Sequence, residues 1–369
     1  MKRKIIFARL GSFSHTNESL YNQLKLRFPE HEIIDFCVKE AIRKKPKALV
    51  LGLAWEIINY GPLSVLKKST RHECFFKLPY TFKKTSELVR EAFEPIASEI
   101  DAVVQTQGLF NAKILGVPLI LYLDYSLKSP RFGPSKSPAQ LIKLEEELYR
   151  DADAIAGAST HLKKTLLEMY GCRDDKVSVV YIGSNVPEAT FDKSLARYEK
   201  QQICFVGVEW ERKGGTVLEK AFARIADIFP NATLVIAGCN PPIQHPRVKV
   251  LGKVSRNDLA NLYQESSIFC MPSLVEPAGI APIEAASFGL PVVATATGGL
   301  LDSVENGVTG LLVAPGNVDE LTSALYRLLK NPAQAMEMGL AGALFVPQKF
   351  NWDKIGVKLA DIIRANQYH

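Results

Sequence analysis

Two rhythms of apolar and polar positions alternate along this chain. Short β-branched and aliphatic runs, typical of buried strands, are separated by stretches with apolar residues three and four apart, typical of helices with one buried face. In residues 1–185 the strand-like runs are KIIFARL (from Lys4), EIIDFC (Glu32), ALVLGL (Ala48), AVVQTQ (Ala102), LILYLD (Leu119), AIAGAS (Ala154) and VSVVYI (Val177). In the remainder they are ICFVGV (Ile203), ATLVIAG (Ala232), VKVLGKV (Val248), IFCMPS (Ile268), PVVAT (Pro291) and GLLVAP (Gly310). Strands and helices in turn predict parallel sheets covered by helices, an α/β chain of two doubly wound, Rossmann-like domains. The expected boundaries are 1–185 for the first domain, 186–349 for the second and 350–369 for a terminal helix. Trp352, Ile355, Leu359, Ile362 and Ile363 share one face of that helix, which suits packing back on the first domain. Between the two sets of strands, GSNVPEATFDKSLARYEKQQ (Gly183–Gln202) is polar and strand-poor and reads as a linker. Ligands of doubly wound domains bind beyond the carboxyl ends of the strands, so the site is expected in a deep cleft between the two domains.

Composition narrows the class. A 369-residue chain with 47% hydrophobic and 23% charged residues is globular and long enough for two cores, which excludes a disordered chain. The opening MKRKIIFARL imitates a secretory signal, but Arg9 interrupts its apolar run after four residues, so it reads as a first strand. No run approaches the roughly 20 apolar residues of a membrane span. Six cysteines without CxxC spacing read as free thiols in a reducing, cytoplasmic compartment, with no zinc site.

Charge adds a partner. Residues 1–185 hold 28 Lys+Arg against 21 Asp+Glu, and residues 186–369 hold 17 against 18. The excess clusters at Ile42–Lys47, Lys67-Lys68, Lys83-Lys84 and Lys163-Lys164. Such a face is either simply solvated or set against an anionic membrane, where each basic residue near the surface adds about 1 kcal/mol. Nucleic acid is not expected as a partner, because no recognition motif accompanies the charge.

The candidate chemistry lies in LVEPAGIAPIEAASFGLPVVAT (Leu274–Thr295). Other helices bring their own caps, at Thr216–Glu219, Ser255–Asp258 and Asn317–Glu320. A helix with Pro282 at its first position would have Ala281 at its N-cap and no side-chain acceptor. Its first-turn N–H groups and the backbone of Gly279, Ile280 and Ala281 are then available to an anion such as a phosphate. Glu276 and Glu284 flank that turn. Singly, each reads as an ordinary loop or dipole-complementing carboxylate; together beside a phosphate seat they suit the hydroxyls of a nucleotide sugar. Arg212 and Lys213, at a strand-to-helix turn before Gly214-Gly215, read either as a solvated pair or as the counter-charge of a diphosphate.

The run IFCMPSLVEPAGIAPIEAASFGLPVVATATGGLLDSVENGVTGLLVAPGNVDELTSALYRLLKNP resembles the donor-binding signature of retaining glycosyltransferases of family 4, on the GT-B fold. Upstream, FVGVEWERKGG, LVIAGC, VLGKVSRNDLANLYQESSI and DADAIAGASTHLKKTLLEMYGCRDDKVSVVYIGSN occur in the family's order, and the resemblance is dense from about residue 145 to 330. It implies a hexosyltransferase that moves a sugar from a UDP- or GDP-sugar to an acceptor hydroxyl, with no cofactor required. The basic first half favours a glycolipid or polysaccharide precursor over a soluble acceptor, and the placement of Asp151–Asp153 before its strand argues that no metal is required. Catalytic roles would fall to Glu276 on the donor's sugar hydroxyls and to Lys213 and Arg212 on the leaving diphosphate. Glu284 would hold the ribose, and Gly207, Gly279, Ile280 and Ala281 would lie along the donor.

This chain departs from the family pattern at three places. Ala278 stands where the family often has an aromatic residue, Val208 follows Gly207 where an arginine is common, and Asp124 stands where a histidine is usual. On the acceptor side, Gly11, Ser12 and His15 follow the first strand, with His15 either an acceptor contact or an ordinary loop residue, and Asp124 follows the strand LILYLD. Asp151–Asp153 imitates a metal-binding DxD but precedes its strand, so Asp153 reads as structural. Gly298-Gly299 reads as a turn near the donor. Two other classes stay open: a non-catalytic nucleotide- or sugar-binding protein, and a dinucleotide-dependent oxidoreductase, against which the lack of a GxGxxG after any strand argues.

Overall fold

The computed structural model describes residues 2–12, 15–60, 75–129, 139–186 and 190–367; Cys74, Lys67-Lys68 and the 187–189 part of the expected linker lie outside them. The chain divides into two compact units, one holding the described residues up to Val180 together with Trp352 onward, the other running from Tyr181 to Asn351.

In the first unit the helices are α1 (Thr16–Arg27), α2 (Val38–Arg43), α3 (Pro46–Tyr60), α4 (Pro79–Phe93), α5 (Ala139–Asp151) and α6 (Thr160–Tyr170). They flank a parallel sheet of β1 (Lys4–Arg9), β2 (Glu32–Cys37), β3 (Ile100–Thr106), β4 (Leu119–Leu123), β5 (Ala154–Gly157) and β6 (Val177–Val179), in the order β2-β1-β3-β4-β5-β6. Helices on both faces leave the central strands no solvent side, which is why they read as unbroken apolar runs: every residue of β4 is fully buried. Asp153 closes the amino end of this sheet, its carboxylate accepting from the Leu119 N–H at 2.7 Å and from Lys113 Nζ at 2.7 Å.

The second unit carries α7 (Leu195–Glu199), α8 (Gly215–Ile228), α9 (Arg256–Glu265), α10 (Ile280–Ser287), α11 (Leu300–Ser303), α12 (Val318–Lys330) and α13 (Pro332–Lys349). Its strands are β7 (Gln202–Val206), β8 (Thr233–Ala237), β9 (Val248–Gly252), β10 (Ile268–Met271), β11 (Val292–Thr295) and β12 (Gly310–Val313). They are parallel and ordered β12-β11-β10-β7-β8-β9. The chain therefore winds outward from β7 in one direction, then returns to β10 and winds in the other. The final helix, α14 (Trp352–Asn366), packs on α1 within the first unit. There Arg27 pairs with Asp353 and Arg364 Nη2 donates to the Arg27 carbonyl at 3.1 Å.

Four expectations are corrected. ALVLGL is part of α3, not a strand: Pro46 supplies a pre-set first helical residue, and apolar side chains on both sides of the helix hide its period. The expected linker is partly core, because Arg197 is fully buried and donates to the carbonyls of Tyr263 (2.6 Å), Phe288 (2.8 Å) and Ser266 (3.1 Å). A guanidinium there satisfies helix-end carbonyls that would otherwise be buried without donors. Thr216 is no cap, since α8 begins one residue earlier on a left-handed Gly214 and the Thr216 hydroxyl donates to Glu211 at 2.7 Å. The fourth correction falls at the functional site.

Candidate functional site

A doubly wound sheet opens a crevice where successive strands part to opposite sides, here between β7 and β10 of the second unit. The loop after β7 carries Gly207, Arg212 and Lys213; the loop after β10 carries Ser273, Glu276 and Gly279. Sheet order alone brings these two segments together. Glycines permit the close approach: a Cβ on Gly214 would lie 1.8 Å from the Pro272 carbonyl oxygen, joining the two loops, and one on Gly298, in the loop after β11, would lie 1.9 Å from that of Glu276.

Glu276, 5% exposed, is the centre of the cluster. Its Oε2 meets the Lys213 ammonium directly, lies 3.5 Å from Arg212 Nη1 and accepts from the Ser273 hydroxyl at 3.2 Å. Its Oε1 accepts the Gly279 N–H at 3.2 Å. Burial alone would push this carboxyl up; the charges of Lys213 and Arg212, with the Lys213 and Gly279 hydrogen bonds, outweigh it and hold the group below its ordinary value. Arg212 is fixed by Glu209, to which its Nε donates at 2.7 Å, and by the Val275 carbonyl at 2.9 Å.

Helix α10 begins at Ile280 on a left-handed Gly279 (φ 76°), not at Pro282. Proline fits the third helical position for the same reason as the first, since its missing N–H has no intrahelical acceptor there. The helix has no side-chain cap hydrogen bond, as Ala281 and Pro282 suggested, although the capping residue is Gly279. Glu284 accordingly becomes the fifth helical residue, two positions further in than a start at Pro282 would place it. It is 7% exposed and is approached by the Tyr263 hydroxyl at 3.4 Å and the Asn185 backbone N–H. Burial outweighs these contacts and the more distant Arg256 charge, and raises the carboxyl to about 7. Ile280 and Ala281 are half-buried at the helix start. At the carboxyl end of β7, Gly207 donates its N–H to Ala237 at 3.0 Å, and a cleft of about 420 Å³ lies beside it, lined by Val208, Glu209, Arg212, Cys239 and Asn240.

The structure thus gathers Glu276, Lys213, Arg212 and Gly279 into one hydrogen-bonded group, with Glu284 on α10, the helix that Gly279 caps. Ser273, Tyr263, Asn185 and Glu209 join them without having been singled out. Only Asn185 had a local signal, its place at the end of the VVYIGSN run.

In the first unit Gly11, Ser12 and His15 stay together on the β1–α1 turn, and Asp124 follows β4, two strands across the sheet. His15 has a left-handed backbone (φ 62°) at the N-cap of α1 and an exposed side chain 3.6 Å from Glu18. The Gly11 carbonyl accepts from Asn17 Nδ2 at 2.5 Å, and Ser12, His15, Asn17 and Arg9 line a cleft of about 500 Å³. Nearby, at the carboxyl ends of adjacent β1 and β3, the buried Thr16 Oγ1, Asn17 Oδ1 and Thr106 Oγ1 have no hydrogen-bond partner among the described residues. Polar atoms in that state are uncommon in native cores and were not foreseen from the sequence.

Two parallel-sheet Rossmann-like units in one chain are the GT-B architecture, and the solved structures that resemble this chain are GT-B glycosyltransferases. Sucrose-phosphate synthase from Thermosynechococcus elongatus superposes with a TM-score of 0.73 at 19% identity, covering 98% of both chains. Anabaena HepE in complex with UDP and glucose gives 0.67 at 18% identity, over 98% of this chain and all of that one. Residues 187–344 match the model of the family described as glycosyl transferases group 1. D-inositol 3-phosphate glycosyltransferase of Kribbella flavida is 31% identical over 243 residues, 58% of this chain. The chain spans 57% of that relative's length.

Proposed function

We propose that this chain is a retaining glycosyltransferase that moves a sugar from a nucleoside-diphosphate donor, with UDP or GDP as the nucleotide, to an acceptor hydroxyl. The observation that carries the reading is the buried Glu276 paired with Lys213 and Arg212 at the β7/β10 crevice, beside a helix start with no side-chain cap. Two cations beside an uncapped helix start suit a diphosphate, and a carboxylate held ionised suits sugar hydroxyls. The group 1 family match and the likeness to a protein bound to UDP and glucose favour the same chemistry.

In the proposed reaction the bond from the anomeric carbon to the phosphate oxygen breaks as the acceptor oxygen attacks from the same face. The acceptor's proton passes to the departing phosphate oxygen. Lys213 and Arg212 offset the charge that grows on the diphosphate, so the protein acts by positioning and charge stabilisation. Glu276 orients the sugar hydroxyls, and Glu284 accepts from the ribose. The acceptor is assigned to the carboxyl ends of β1 and β3, where Ser12, His15 and the unpartnered Asn17 and Thr106 oxygens offer acceptors to its hydroxyls.

Thermal denaturation with UDP, GDP, ADP, their sugars and NAD(H), without and with EDTA, tests the reading. One nucleoside diphosphate is expected to raise the Tm equally in both buffers. A rise with NAD(H) alone, or with no nucleotide, would overturn it in favour of the oxidoreductase or the binding protein.

A further inference from the structure

Helix α3 is apolar on both sides. One side belongs to the core: Ala48 is buried, Leu49 and Leu53 pack against the core cluster, and Gly52 faces the Phe75 ring so closely that a Cβ would lie 2.4 Å from it. The other side faces solvent. At about 100° per residue, Val50, Leu51, Ala54, Trp55, Ile57 and Ile58 fall within one arc of about 160°. Val50 is 66% exposed, Leu51 53%, Trp55 49%, Ile57 43% and Ile58 74%. Other exposed large apolar residues, such as Leu115, Met169 and Leu344, are scattered singly. A contiguous apolar face of this kind marks an interaction surface.

Charge identifies what it meets. Arg43, Lys44, Lys45 and Lys47 are all exposed immediately before or at the start of α3, and Lys47 shares the azimuth of the apolar arc. We propose that α3 lies in the surface of an anionic lipid bilayer, with Leu51, Trp55 and Ile58 at the headgroup–acyl boundary and the Arg43–Lys47 cations on lipid phosphates. An apolar face with a tryptophan and a basic flank is the pattern of an interfacial helix. Lysine stems extend along such a boundary while their ammonium groups stay in water. At 15 residues α3 is too short to span. A second copy of this chain fits the surface less well, because each copy would bring four cations of one sign to the contact. The inference needs neither donor nor activity, so it stands or falls apart from the transferase reading.

Sedimentation of the full chain with phosphatidylcholine vesicles, alone or with one part in four of phosphatidylglycerol, reads it directly. The chain is expected to pellet with the anionic vesicles and not with the neutral ones, and the combined emission of Trp55, Trp210 and Trp352 to shift to the blue as it does. Trp55→Ser/Ile58→Ser, both exposed and compatible with an unchanged Tm, should weaken partition at least about tenfold. Lys44→Gln/Lys45→Gln/Lys47→Gln should abolish the preference for anionic lipid, at roughly fivefold per cation at low salt. Wild-type protein that stays in the supernatant with anionic vesicles would overturn the proposal, as would equal pelleting of the Trp55/Ile58 variant. A concentration-dependent dimer that the same variant dissolves, without vesicle binding, would overturn it in favour of self-association.

Discussion

The two units share an architecture and differ in how each finishes the carboxyl end of its sheet. In the second unit the crevice between β7 and β10 is closed by paired charges. Glu276 takes two cations, a hydroxyl and a backbone N–H, and Gly214 and Gly298 let backbone meet backbone. In the first unit the corresponding place beside β1 and β3 holds neutral polar atoms without partners among the described residues and a left-handed His15. One site is set for an anion with hydroxyls, the other for a ligand that supplies hydrogen bonds to neutral oxygens. The contrast gives different expectations when each site is damaged.

The largest effect is expected at Lys213. Lys213→Ala should slow sugar transfer by about 10²–10³-fold, the range for removing one donor to a developing oxyanion. It should also destabilise the fold by roughly 3 kcal/mol, because it leaves Glu276 buried beside the more distant Arg212. Lys213→Met/Glu276→Gln, which removes both charges, should recover most of that stability in urea denaturation but none of the activity. Recovery of activity in the double variant would make the pair structural.

Next comes pH, where the two glutamates act in opposite directions. Glu284, raised from 4.5 to about 7, keeps its proton in the native state to higher pH than in the unfolded chain. Stability should therefore fall by about 3 kcal/mol as pH rises from 4.5 to about 7, at 1.36 kcal/mol per unit, and the slope should vanish in Glu284→Gln. Glu276, held below 4.5, adds stability that is complete above that pH and is lost as pH falls through its depressed value. Denaturant midpoints across that range separate the two.

Gly214→Ala should cost about 2 kcal/mol or more in the same assay, since φ is +75° and the added carbon meets the Pro272 carbonyl. Thr106→Val should have the smallest effect. With no partner for its hydroxyl among the described residues, the free protein should be unchanged or more stable by about 1 kcal/mol, while KM for the acceptor rises and donor binding does not change.

Much of the fold is written locally. Strands buried on both faces appear as continuous apolar runs, and Ser255 and Asn317 announce their helices because a cap acts over three residues. What escaped the sequence depends on contacts distant along the chain. ALVLGL is apolar on both sides whether it is strand or helix, and only its setting decides. Arg197 looks like a linker residue until the carbonyls of Tyr263, Ser266 and Phe288 are folded around it. At the site, Glu276 and Lys213 were legible as residue types in suggestive places, but their pairing across 63 positions follows from the strand order. The unpartnered oxygens of the first unit left no trace in composition or spacing.

Calorimetric titration of UDP and GDP into the wild-type protein and into folded Lys213→Met/Glu276→Gln tests the charged crevice most directly. The account predicts one-to-one binding of one of these nucleotides to the wild type, weakened at least about tenfold in the neutralised pair. Equal affinity in both proteins would place the diphosphate elsewhere and contradict it.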